Sequence, residues 1–193
     1  MPTARCAQTI VVAVTAVCLG VVAQDLVLKR SSGELRVSAP KLHFITGKPL
    51  ERMRNGASVT YDMQLTVSGS DREFVLRRGF ERFVLSYDLW EEKFSATRMR
   101  TAKTSASHLT VEAAEAWCLD HLSIPAAGLA TDKPVYVRLD VRAQAPKERR
   151  TPEDDDGISL GRLIDIFSKA GNASPGSQWR AESGPIDLRT LKP

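Results

Sequence analysis

Three side chains able to take part in chemistry stand at regular spacing on one stretch of this chain. Glu115, Cys118 and His121 occur at i, i+3 and i+6. On a helix that spacing spreads them over about a third of the circumference. With His43 or His108 completing the set they could begin a zinc site. Cys118 paired with His43, His108 or His121 could instead form the nucleophile and base of a hydrolase. The simpler reading makes Cys118 a small core residue, Glu115 a solvated helix charge and His121 a last-turn residue favoured by the helix dipole. The sequence carries no C-x-x-C or H-E-x-x-H spacing and no G-x-S-x-G elbow. Tyr87-Asp88 could be an acid–base pair, but a tyrosine alternating into a sheet face is ordinarily core.

A second candidate is the acidic run Glu153-Asp154-Asp155-Asp156-Gly157. A calcium loop with Gly157 at position 6 would put Pro152 at position 1 and Leu163 at position 12, and neither can ligate. The acids are better placed to favour the N-terminus of a following helix, with Asp156 or Ser159 as its cap. The glycines of Ser68-Gly69-Ser70 and Arg78-Gly79 read as turns, not as a phosphate cradle. No catalytic, cofactor-binding or metal-ligating set is therefore assigned.

The elements that would position these groups are mainly strands. Val59, Tyr61, Met63, Leu65 and Val67 alternate with Thr60, Asp62, Gln64, Thr66 and Ser68, which predicts one buried and one wet face. Val135 to Ala143 alternates in the same way. Leu35, Val37 and Ala39 begin another strand that Leu42 and Phe44 continue, with Pro40 marking an edge or bulge. Phe83 to Trp90 is apolar on both faces and reads as a central strand, turning at Glu91-Glu92 and returning through Phe94 and Ala96.

Helices are short. Pro49 to Arg54 predicts one turn closed by Asn55-Gly56. Thr110 caps a helix over Val111 to Leu122, with Val111, Ala114, Trp117, Cys118 and Leu122 on its packing face. A third helix is expected over Ser159 to Ala170, carrying Leu160, Leu163, Ile164 and Phe167, after a charged, proline-flanked loop at 146–157. Trp179 to Leu188 can return to a sheet edge. No internal repeat is visible.

The chain has 193 residues. The run Thr9 to Ala23, behind Arg5 and ending in Val21-Val22-Ala23, has the basic, apolar and small-residue regions of a secretory signal peptide. Its 15 residues fall short of the roughly 20 needed to span a bilayer. Residues 1–23 are thus expected to be a cleaved signal, with an uncleaved inner-membrane anchor as the alternative. Residues 24–193 form a single mainly β domain. Its formal charge, +4 for the whole chain, is mild, with Lys and Arg interleaved among Asp and Glu, so nucleic acid is not indicated as a partner. Cys6 and Cys18 lie in the signal, and Cys118 alone cannot make an internal disulfide.

The order of these elements resembles the exported bacterial proteins of domain-of-unknown-function family 4390. The segments that carry the likeness are Pro49 to Gly56, Leu85-Ser86-Tyr87-Asp88-Leu89-Trp90-Glu91-Glu92-Lys93-Phe94, and the helix from Thr110 followed by Lys133-Pro134-Val135-Tyr136-Val137, with the late Trp179. This chain has Asp88 where members often carry His. The resemblance implies export and fold and brings no activity, cofactor or catalytic residue.

The expected fold is mainly β, an antiparallel two-layer sandwich with two or three short helices. The alternative is α+β, one antiparallel sheet with helices on one face. The expected location is the periplasm or cell envelope of a bacterium. The expected role is a noncatalytic binding or interaction module with an envelope protein partner and no stable membrane span after signal cleavage. The competing role is an envelope hydrolase or metal-dependent enzyme using Cys118 or His121.

Overall fold

A computed structural model describes residues 26–70, 72–129, 133–144 and 177–191. The signal segment, the charged loop at 146–157 and the helix expected over 159–170 lie outside the described residues. Among the described residues nine strands and two α-helices follow in the order β1 (Val27–Ser31), β2 (Glu34–Ser38), α1 (Gly47–Arg54), β3 (Val59–Ser68), β4 (Val75–Asp88), β5 (Lys93–Arg98), β6 (Thr104–Leu109), α2 (Val111–Asp120), β7 (Ser123–Pro125), β8 (Val135–Ala143) and β9 (Gln178–Ile186). They make two antiparallel sheets, one of six strands in the order β6-β5-β4-β3-β8-β9 and one of three in the order β1-β2-β7. The fold is mainly β, consistent with the two-layer sandwich.

The alternation read from β3 and β8 determines which face is inside. Tyr61, Met63, Leu65 and Val67 pair across with Ala143, Val141, Leu139 and Val137, and all are buried. Phe83 and Leu85 extend the same face onto β4. The small sheet turns Leu28, Leu35, Val37 and Ile124 inward, and these join one continuous core with Met53 of α1 and Ala114, Cys118 and Leu119 of α2. Gly79 marks how closely the layers approach. A Cβ there would lie 2.8 Å from both Ile124 Cγ1 and the Ser123 carbonyl oxygen. Only glycine lets β7 cross β4 at that separation.

Both described helices end as their sequences dictate. The Thr110 hydroxyl accepts from Ala113 N–H at 3.2 Å, and Asn55 with Gly56 closes α1, Gly56 at φ 83°. The Trp179 segment is edge strand β9, paired to β8.

Several local expectations are corrected. Pro40 ends β2 outright, because a residue without an N–H halts the ladder. Leu42 and Phe44 lie beyond the strand and are nevertheless buried. Strand β4 is interior to its sheet, but Trp90 is not part of it: the strand stops at Asp88 and the Trp90 side chain is 96% exposed. On the face of β3 expected to be wet, Asp62, Thr66 and Ser68 are buried, whereas Thr60 and Gln64 stay half-buried. Strands β1, β6 and β7 carry too little alternation to have been legible. The β1–β2 hairpin rests on Ser32 and Gly33, both at positive φ, as a two-residue turn of matching twist requires.

Candidate functional site: the α2 acid and the β4–β5 tip

Helix α2 places Glu115 inward, one turn before Cys118, and this overturns the reading of Glu115 as a solvated charge. Its carboxylate is buried. Oε1 accepts from the N–H groups of Phe44 (2.6 Å) and Ile45 (2.8 Å), and Oε2 accepts from Nδ1 of His43 at 3.0 Å. Phe44 and Ile45 form no strand ladder, so their amides need another acceptor, and Glu115 supplies it. The group is therefore a latch between α2 and the segment after β2.

Beside the latch lies an apolar aromatic nest. Phe44 meets Tyr61 edge-on with ring centres 5.4 Å apart, and Trp179 closes on both at 6.4 and 6.2 Å. Burial pushes the Tyr61 hydroxyl well above the usual phenol range, and the negative field of the Glu115 carboxylate adds to it. Burial likewise drives the Cys118 thiol upward, with Glu115 reinforcing the shift. A thiol held protonated in a packed core is a poor nucleophile.

The three histidines are not gathered around that thiol into a metal set. His43 serves the latch. His121 stacks on Trp117 at 4.0 Å and donates from Nδ1 to the Trp117 carbonyl oxygen at 2.8 Å, the same oxygen that accepts from the His121 backbone N–H at 3.3 Å. His108 belongs to β6, with Nε2 3.0 Å from the Glu91 carboxylate. Among the described residues no group of three or more His, Cys, Asp and Glu side chains converges. Native Cys118 should therefore react with a thiol reagent far more slowly than the same residue in urea. Native labelling as fast as that of free cysteine would contradict the buried placement.

A different feature stands out at the tip of the β4–β5 hairpin. The Asp88 carboxylate accepts from the N–H groups of Trp90 (2.8 Å) and Glu91 (3.1 Å), folding the chain over itself. These bonds hold the Asp88 carboxyl below the usual carboxylate range, that of Glu91 contributing most. Glu92 accepts a positive φ of 54°, and Glu91 is tied to His108 across β5. Leu89 and Trp90 project from this braced turn, Trp90 almost wholly exposed. Tyr87 does not pair with Asp88; its ring packs on Phe94 at 4.8 Å.

The exposure of Trp90 escaped the sequence reading, although its signal was present. An aspartate followed by Leu-Trp-Glu-Glu between two alternating strands is a side-chain-capped turn, although the apolar pair Leu89-Trp90 by itself continues the strand pattern. No helix of the described residues is long and apolar enough to cross a membrane. Comparison of the chain with protein-family models, with curated proteins and with solved structures finds no match.

Proposed function

We propose that this protein is a noncatalytic interaction module of the bacterial cell envelope, exported by its N-terminal signal, which binds a protein partner through the β4–β5 tip. The observation that carries this reading is Trp90, 96% exposed on a turn whose backbone is fixed by Asp88. An exposed indole costs solubility and contributes nothing to the core. Tryptophan is also the residue type most enriched among interface hot spots. Fixing the turn beforehand reduces the ordering cost of association. The basic, apolar and small-residue pattern from Arg5 to Ala23 supports the location. A hydrolase centred on Cys118 or His121 is disfavoured by the burial of the one and the backbone bond of the other.

The test compares variants for the in vivo role and for binding. Trp90→Ala should unfold within about 0.5 kcal/mol of the parent, as exposed substitutions do, while losing most partner affinity. Cys118→Ala and His121→Ala should retain the role as long as they fold. Loss of the role in either of those two with an intact fold, and its retention in Trp90→Ala, would overturn the proposal in favour of chemistry. The tip should also hold its form at neutral pH. The folded Asp88 carboxyl takes up its proton less readily than the unfolded one, so the brace is lost only as the pH falls below the usual carboxylate range.

A further inference from the structure

The six-stranded sheet ends in β6 on one side and β9 on the other, and the three-stranded sheet in β1 and β7. An edge strand presents unpaired N–H and C=O groups, which proteins guard with charge, proline, brevity or cover. Strand β9 carries Pro185, β7 is three residues long and ends at Pro125, and β1 carries Lys29 and Arg30. Strand β6, Thr-Ser-Ala-Ser-His-Leu over 104–109, has no proline and no Lys, Arg, Asp or Glu. None of its residues is buried.

This edge and the tip form one surface. Leu109 pairs with Phe94, and Nε2 of His108 reaches the Glu91 carboxylate next to Trp90. The two ends of the edge carry opposite charge. The tip sets Asp88, Glu91 and Glu92 against Lys93. The turn into β6 adds Arg100 and Lys103 to Arg98, against the one buried acid Glu81 that both arginines share. Beside them Arg82–Asp62 and Arg36–Glu34 are neutral pairs. One irregularity selects the occupant. Ser107 and His108 together oppose Ser95, a bulge with His108 at φ 61°. A bulge bends and twists an edge, which hinders pairing with the rigid edge of a second copy, whereas a flexible segment follows it.

We infer that β6 accepts an extended segment of the protein partner as an added strand that runs past Trp90. The segment carries a basic side chain at the tip end, where the indole also suits a cation, and an acidic one at the Lys103 end. This rests on the tip being the binding surface. Six residues span about 20 Å, and main-chain bonds along that length supply affinity. The experiment places a photo-crosslinking amino acid at Ser105, with Trp90 intact, in cells that make the protein. Position 105 should give an adduct of the same mass as position 90. Neighbouring residues of β6 aim their N–H groups to opposite sides, one toward β5 and one outward. Of Ser105→Pro and Ala106→Pro, the variant that keeps the parent's urea midpoint should cut the adduct yield from position 90 about tenfold. Lys103→Glu, on an exposed turn, should cut it severalfold. An adduct from position 90 and none from 105 would overturn the inference and leave the tip as the binding surface. So would an adduct of two copies of this chain from position 105, or yields unchanged in the folded proline variant and in Lys103→Glu. No adduct from either position would remove the tip as well.

Discussion

Replacing Glu115 by alanine should lower the unfolding free energy by about 3–5 kcal/mol, among the largest losses a single residue of this protein can cause. Two buried backbone N–H groups, those of Phe44 and Ile45, would lose their acceptor at once. Each orphaned buried donor costs about 1–3 kcal/mol. The alternative of bonding to water is closed, since Phe44 and Ile45 are themselves buried. The effect should be local before it is global. Phe44 holds Tyr61 and Trp179 in their edge-on arrangement, so the nest should loosen together with the latch. Glu115→Gln keeps one carbonyl oxygen for the two amides and should cost clearly less. Urea titrations of the two variants check this, with amide exchange at Phe44 and Ile45 as the site-specific readout. Equal losses for Ala and Gln would mean that the acceptor at that point matters less than the charge.

The second large effect is expected at Asp62. Its carboxylate is 0% exposed, on the sheet face that alternation alone marks as wet. Arg82 grips it through two bonds of 2.6 and 3.0 Å, and the Gln144 amide donates to Oδ2 at 2.7 Å. Gln144 in turn accepts from Arg52 of α1 at 2.9 Å. Removing the acid leaves the Arg82 guanidinium, 22% exposed, without its counter-charge. Breaking one side of a buried pair costs about 3–5 kcal/mol. Asp62→Ala should therefore approach the Glu115→Ala loss. The paired change Asp62→Leu with Arg82→Met should recover much of it, because a well-packed apolar pair is often as stable as the ion pair it replaces. Failure of the double variant to recover would tie Asp62 to the Gln144–Arg52 connection instead of to Arg82 alone.

These two acids also mark where sequence reasoning stopped. The core strands were legible because β3 and β8 alternate without interruption, and a period of two leaves little choice of face. The short helices were legible from Thr110, Asn55 and Gly56. Glu115 was misplaced because its partners are backbone amides some seventy residues away, and nothing in the local spacing announces them. Asp62 was misplaced for a related reason. Its cover comes from a cross-strand arginine and a glutamine 82 residues on. The Asp140 ion pair is a consequence of register: Arg180 reaches Asp140 only because β9 pairs with β8, and nothing in the local spacing announces that partner. The zinc and thiol readings of α2 depended on spacing alone. The fold turns Cys118 into core, ties His121 to its own helix and sends His108 to brace the tip.

The central claim is that Trp90 is where this protein meets its partner. It is tested most directly by placing a photo-crosslinking amino acid at position 90 in cells that make the protein, with the same substitution at Val27 as control. Val27 is also an exposed apolar residue but has no braced turn beneath it. Illumination should yield a discrete protein adduct from position 90 and none of that mass from position 27. The same adducts from both positions, or none from position 90, would contradict the account.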